Sequence, residues 1–166
     1  MHITFIQAGG TIDKYYPNNN VQHGYALEID EPAVKSILES MAPLFTYNIV
    51  EAVKKDGTDL TEEDRAIIRE AAEAATSDRV VITHGTSTLS KTAEALKDIK
   101  GKTIVLVGTM LPEKFSASDA KFNVGMAVGA VQNLPAGVYV ALYGRVVPWQ
   151  EFEKINEEYE RKAGII

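Results

Sequence analysis

The chain has no cysteine, which excludes disulfides and thiolate metal sites. Its three histidines, His2, His23 and His84, stand too far apart for paired ligand spacing, so no metal and no cofactor is expected. No apolar run approaches the roughly 20 residues that span a bilayer, and nothing before the first strand-like segment reads as a signal peptide. A cytoplasmic protein without a membrane partner is therefore the expectation. Positive charge is also in short supply: 17 Lys and Arg against 23 Asp and Glu leave a formal charge of -6. The cations are interleaved with acids, as in Glu62–Arg69 and Glu151–Arg161, which read as solvated helix faces. A nucleic-acid partner would need a basic patch, and none is visible. Low-complexity stretches and interdomain linkers are absent too, so residues 1–166 read as one domain with enough chain to bury a core.

What is present alternates between short apolar runs and amphipathic segments. His2–Gln7 reads as a buried strand closed by the turn residues Ala8-Gly9-Gly10-Thr11. Residues 13–30 are polar, with Pro17, Asn18, Asn19, Asn20 and Gly24, and read as a long loop of the kind that often carries function. Helical spacing follows over Glu31–Met41, with Pro32 suited to the first turn. Thr46–Val53 is a second strand, Lys54–Leu60 a loop, and Thr61–Ala75 a helix opened by a Thr61…Asp64 capping box. Arg79–Thr83 and Thr103–Val107 are further apolar strands, with a helix over Leu89–Ile99 between them. A helix over Ser116–Gln132, a strand over Val138–Tyr143 and a charged helix over Gln150–Lys162 complete the series.

Five strands alternating with helices predict an α/β fold, a three-layer αβα sandwich around a mostly parallel sheet. A flavodoxin-like or Rossmann-like order is the simplest for five units. Ligands in such sheets sit beyond the carboxyl ends of the strands where the order reverses, here between the first and third strands. That rule brings together the loops Ala8–Thr11 and His84–Thr88.

Both loops carry hydroxyls. Gly9-Gly10 allows a close approach of backbone N–H groups and Thr11 adds a hydroxyl, although a Gly-Gly pair alone also suits a plain tight turn. Thr86, Ser87 and Thr88 exceed what capping the next helix requires, and a helix start can stabilise a developing oxyanion. Gly101-Lys102-Thr103 fails as a phosphate loop: Leu96 stands where its first glycine belongs, and it precedes a strand. The first strand lacks both a Rossmann fingerprint and the acids of a receiver domain, while a flavodoxin-like phosphate loop stays open. A threonine nucleophile needs a base. Lys154 lies in the right edge zone, within a charged helix where a solvated lysine is the alternative. Tyr15, Tyr16 and Tyr25 lie along the long loop, positioned either to close a site or to anchor the loop. Trp149 and Phe152 could serve an interface or pack the last helix.

These same residues resemble the bacterial-type L-asparaginase family. Ala8-Gly9-Gly10-Thr11-Ile12 is similar to its Thr-Gly-Gly-Thr-Ile motif, and His84-Gly85-Thr86-Ser87-Thr88 to its His-Gly-Thr-Asp-Thr motif. Val107-Gly108-Thr109-Met110 resembles a Val/Thr-Gly-Ala-Met segment, and Ser118–Asn123 a Ser-Asp/Ala-Asp…Phe-Asn stretch. The resemblance implies an amidohydrolase acting on a small-molecule amide, with Thr11 as nucleophile. It pairs Thr86 with Lys154 for proton transfer and supplies Tyr16 or Tyr25 to polarise Thr11. Asp56, Gly57 and Thr58 resemble the family's substrate loop, so that Gly10, Gly85 and Ser87 join them as binding positions. Assembly into a homo-oligomer is implied as well. The likeness is greatest to short, single-domain members, because full-length members carry a second domain.

Two departures alter the expected substrate. Ser87 replaces an acid that would bind a substrate ammonium, and Gly57 replaces a serine that would bind its carboxylate. Weak or altered activity on L-asparagine is therefore expected. The alternative is a catalytically degenerate binding or sensing domain on the same scaffold.

Overall fold

The computed structural model describes residues 1–17 and 26–165. Four parallel crossovers build the expected α/β sandwich. Strand β1 (His2–Gly9) pairs in parallel with β4 (Thr46–Lys55) on one side and β5 (Arg79–Thr83) on the other. Strands β6 (Thr103–Val107) and β7 (Gly137–Leu142) extend the sheet in parallel, and β8 (Arg145–Pro148) closes its edge antiparallel to β7. The order is β4-β1-β5-β6-β7-β8, so the five anticipated strands take the flavodoxin-like arrangement. The reversal falls at β1/β5.

Strand alternation divides the core in two. Ile6, Ile82, Leu106 and Val140 face α2 (Glu62–Ala74), α3 (Leu89–Leu96) and α5 (Phe152–Lys162). Phe5, Val81, Val105 and Ala141 face α1 (Ala33–Met41) and α4 (Ala120–Asn133). The central strands β1, β5 and β6 are covered on both sides, which is why their sequences read as apolar runs.

Several boundaries differ from the sequence expectation for identifiable reasons. The 13–30 segment contains a small antiparallel ribbon of β2 (Lys14–Tyr15) and β3 (Glu28–Ile29). Helix α4 starts at Ala120, not Ser116, because the Asp119 carboxylate is engaged with the Met110 and Leu111 amides at 3.1 Å. The capping box at Thr61 and Asp64 forms as anticipated. Phe152 is 2% exposed and Trp149 packs on the same core, so both serve to dock the last helix. No helix of the described residues is long and apolar enough to cross a membrane.

Candidate active site

Three glycines decide how the loops beyond the sheet meet. Gly10 follows β1 with φ +88°, a conformation that suits glycine. A methyl group placed on it would lie 2.2 Å from the Gly85 nitrogen, after β5. Gly85 in turn abuts Gly57, after β4, where an added methyl would lie 2.9 Å from Gly57 Cα. Backbone therefore packs directly on backbone across three loops. A fourth loop joins through Gly108, where a methyl would lie 2.9 Å from Thr86 Cγ2.

The reaction candidates stand at the rim of this seam. Thr11 opens a single 3-10 turn, Thr11–Asp13, and Thr86 opens another, Thr86–Thr88. Both threonines are half-buried, and neither hydroxyl makes a hydrogen bond to a described residue. The β1 turn is tied down by Gly10 N–H donating to Lys55 O at 2.9 Å and by Glu113 N–H donating to Ile12 O at 3.1 Å. The β5 loop is tied to the β4 loop by the Thr88 hydroxyl, which donates to Gly57 O at 2.6 Å. Ser87 is exposed, and its Oγ lies 2.9 Å from the position a Cβ on residue 57 would occupy. The two positions that depart from the family motifs thus face each other.

Two residues that the sequence did not single out complete the surroundings. His84 is fully buried, with Nδ1 2.7 Å from Gly85 O and Nε2 2.7 Å from Thr92 Oγ1. A carbonyl only accepts, so Nδ1 carries the proton and Nε2 accepts from the Thr92 hydroxyl. Burial pushes its pKa down from 6.5 to about 4, which keeps the ring neutral. Lys14 on β2 forms an ion pair with Asp56, and this contact holds the Asp56 carboxyl below its ordinary range. Thr58, two residues on, is exposed. Lys14 could have been suspected only as a cation three positions after Thr11.

The remaining candidates lie further out. Lys154 is exposed on α5 and makes no hydrogen bond or ion pair with a described residue. Tyr16 is 51% exposed and stacks on Phe115, with ring centroids 5.8 Å apart. Tyr25 lies outside the described residues. Among those residues no group of three or more His, Asp or Glu is placed to hold a metal. A cavity of about 730 Å³ is bounded by Met110, Phe122, Tyr143 and Tyr159, and none of the threonine-loop residues lines it.

Comparison with known proteins agrees with this geometry. The sequence model of the family described as Asparaginase, N-terminal, matches residues 2–160. A glutamyl-tRNA(Gln) amidotransferase subunit of Thermococcus kodakarensis is 32% identical over 151 residues, 86% of this chain and 33% of that protein. L-asparaginase of the same organism is 28% identical over 165 residues, 94% of this chain and 48% of the relative. The solved thermostable L-asparaginase from Thermococcus kodakarensis superposes with a TM-score of 0.74 at 27% identity, covering 90% of this chain and 46% of its own. The chain thus spans a third to a half of the length of these relatives.

Proposed function

The chain belongs to the asparaginase family through that family's N-terminal domain, and from this footing we propose that it hydrolyses a small amide with Thr11 as nucleophile. The observation that carries the proposal is the backbone contact between Gly10 and Gly85, which sets the Thr11 and Thr86 turns side by side at the sheet's reversal point. Thr11 Oγ attacks the amide carbonyl as its proton passes toward Thr86. The C–N bond breaks, the protonated nitrogen leaves as ammonia, and water then cleaves the acyl–threonine ester. Lys154 is the resemblance-assigned partner of Thr86, and a loop tyrosine, Tyr16 or Tyr25, polarises Thr11. Residues 1–166 act as one cytoplasmic domain that assembles with copies of itself.

Asparagine itself is a poor substrate in this reading. A charge-assisted hydrogen bond contributes about 1.5–3 kcal/mol, so Ser87 in place of an acid costs roughly one to two decades of affinity for an ammonium. Gly57 and Ser87 are also coupled: a side chain on residue 57 needs the space that the Ser87 hydroxyl takes. One substitution alone is not expected to restore the site. Ammonia release from a panel of side-chain amides tests the proposal. Turnover should be higher on another amide than on L-asparagine and fall by on the order of a thousandfold or more in Thr11→Ala. Ser87→Asp combined with Gly57→Ser should raise asparagine turnover. Equal ammonia release by wild type and Thr11→Ala would defeat the nucleophile assignment.

The exposed, unpartnered position of Lys154 favours a second reading, a binding or sensing domain that keeps the loops and has lost the base. It predicts saturable amide binding without ammonia from any substrate in the panel.

A further inference from the structure

Three of the buried polar atoms that lack a partner among the described residues belong to one cluster: Gln7 Oε1, Asp13 Oδ2 and Thr83 Oγ1. Gln7 and Thr83 are register neighbours on β1 and β5, and strand alternation points both to the α1/α4 face, where Phe5 and Val81 also point. Both are fully buried, and Asp13 is 4% exposed. The Gln7 side chain is in hydrogen-bonding reach of the Asp13 carboxyl. The cluster lies directly after the Thr11 turn and at the foot of the β2–β3 ribbon.

Its committed contacts fasten that foot. Asp13 Oδ1 accepts from the Ala33 N–H at 2.7 Å, at the start of α1. Gln7 Nε2 donates to Asp30 O at 2.9 Å, just past β3. The Asp30 carbonyl fixes the orientation of the Gln7 amide, because a flip would set two acceptors against each other. Oε1 is therefore an acceptor in need of a donor, and an ionised Asp13 would add a second such acceptor beside it. Thr83 offers a single hydroxyl proton. The second Gln7 N–H is the one further donor near the Asp13 carboxyl, and among the described residues no cation is paired with Asp13.

We infer that Asp13 is held as the neutral acid, buried beside the unpartnered Gln7 and Thr83 oxygens with its proton donated within that cluster, and that loss of this proton loosens the foot of the β2–β3 ribbon beside Thr11. Desolvation acts in the same direction and pushes the Asp13 pKa up from 3.8 to about 7, against the Ala33 amide, the Gln7 amide and Lys54, which lower it. The charges around it carry both signs. Lys54 on β4 is paired with Glu51, and Lys14 with Asp56. Glu31, Lys35 and Glu39 come from α1 and its approach, and Glu113 and Lys114 from the loop after β6. The folded state thus holds a proton that the unfolded chain releases. Its stabilisation is complete below the ordinary aspartate range and is lost as pH rises through about 7.

The inference does not depend on the proposed hydrolase chemistry, and its test uses none. In protein carrying ¹³C-labelled aspartate, the Asp13 carboxyl carbon, assigned through the backbone, should titrate near neutrality. A midpoint below about pH 5 would overturn the inference. Asp13→Asn keeps an acceptor for Ala33 and gains an N–H for the cluster. Its advantage in melting temperature over wild type should grow between about pH 5.5 and pH 8.5, with roughly half of the full difference present at the lower value. A variant that differs from wild type by the same margin at both values would contradict the proton held by Asp13. Hydrogen exchange of the Ala33 amide, corrected for intrinsic rate, should accelerate above neutrality in wild type. Unchanged protection there would refute the loosening. If the variant does not fold, the wild-type titration and exchange still decide.

Discussion

The two loops that meet at Gly10 and Gly85 have similar parts and are held by different forces. The β5 loop is held by side chains: His84 satisfies both ring nitrogens, and Thr88 reaches across to Gly57. The β1 loop is held by conformation, with Gly9 and Gly10 at φ +84° and +88°, by backbone hydrogen bonds at Gly10 and Ile12, and by a buried carboxyl with one oxygen unpartnered among the described residues. A loop fixed by hydrogen bonds tolerates graded loss, one bond at a time. A loop fixed by close backbone approach admits no intermediate, since any Cβ must displace another chain segment. The threonine on each loop is thus positioned with different margins for error.

The sharpest way to break the comparison is Gly10→Ala. Its methyl group would meet the Gly85 backbone at 2.2 Å in a positive-φ conformation, and a loss on the order of 3 kcal/mol or more is expected in denaturant unfolding. A loss within about 0.5 kcal/mol would mean that the seam is not tightly packed.

His84→Gln tests the other loop and should cost about 1–3 kcal/mol near neutral pH, because it leaves buried hydrogen-bonding groups without partners. It should also change the pH dependence of stability. The His84 pKa is lowered from 6.5 to about 4, so its contribution is complete above 6.5 and lost as pH falls toward 4. Asp13 works in the opposite direction through neutrality. Its window, from 3.8 to about 7, overlaps that of His84, so the two largely offset each other in wild type. His84→Gln should leave a melting temperature that falls as pH rises from about 4 to 7, and a variant with the wild-type pH profile would remove His84 as a contributor.

The smallest effect is between loops. Gly57→Ser should be destabilising alone and less so with Ser87→Ala, giving a coupling of about 1 kcal/mol in a double-mutant cycle. Additive effects would mean that the two positions do not share space.

Much of this was legible in the chain itself. Buried strands declare themselves by apolar runs, and Thr61 and Asp64 mark a helix start through local hydrogen bonding alone. The topological rule placed the β1 and β5 loops together before any coordinates. Strand β8 escaped because Arg145–Pro148 lies on the sheet edge, half-exposed, without the hydrophobic pattern of a central strand. His84 was legible as the first residue of a loop motif but not as the loop's anchor, since the Thr92 partner eight residues on matters only after α3 folds back. Asp13 read as part of a polar loop, because its burial depends on α1 and β1 closing over it.

By itself the sequence determined the α/β alternation, the reversal point and the threonine-bearing loops, because periodicity, turn chemistry and motif spacing act over a few residues. Only the tertiary structure decided that Ser87 occupies the space beside Gly57, that Lys154 faces solvent, and that Asp13 is buried with one oxygen unpartnered among the described residues. Those outcomes depend on which distant segments exclude water and volume from one another, which no local pattern encodes.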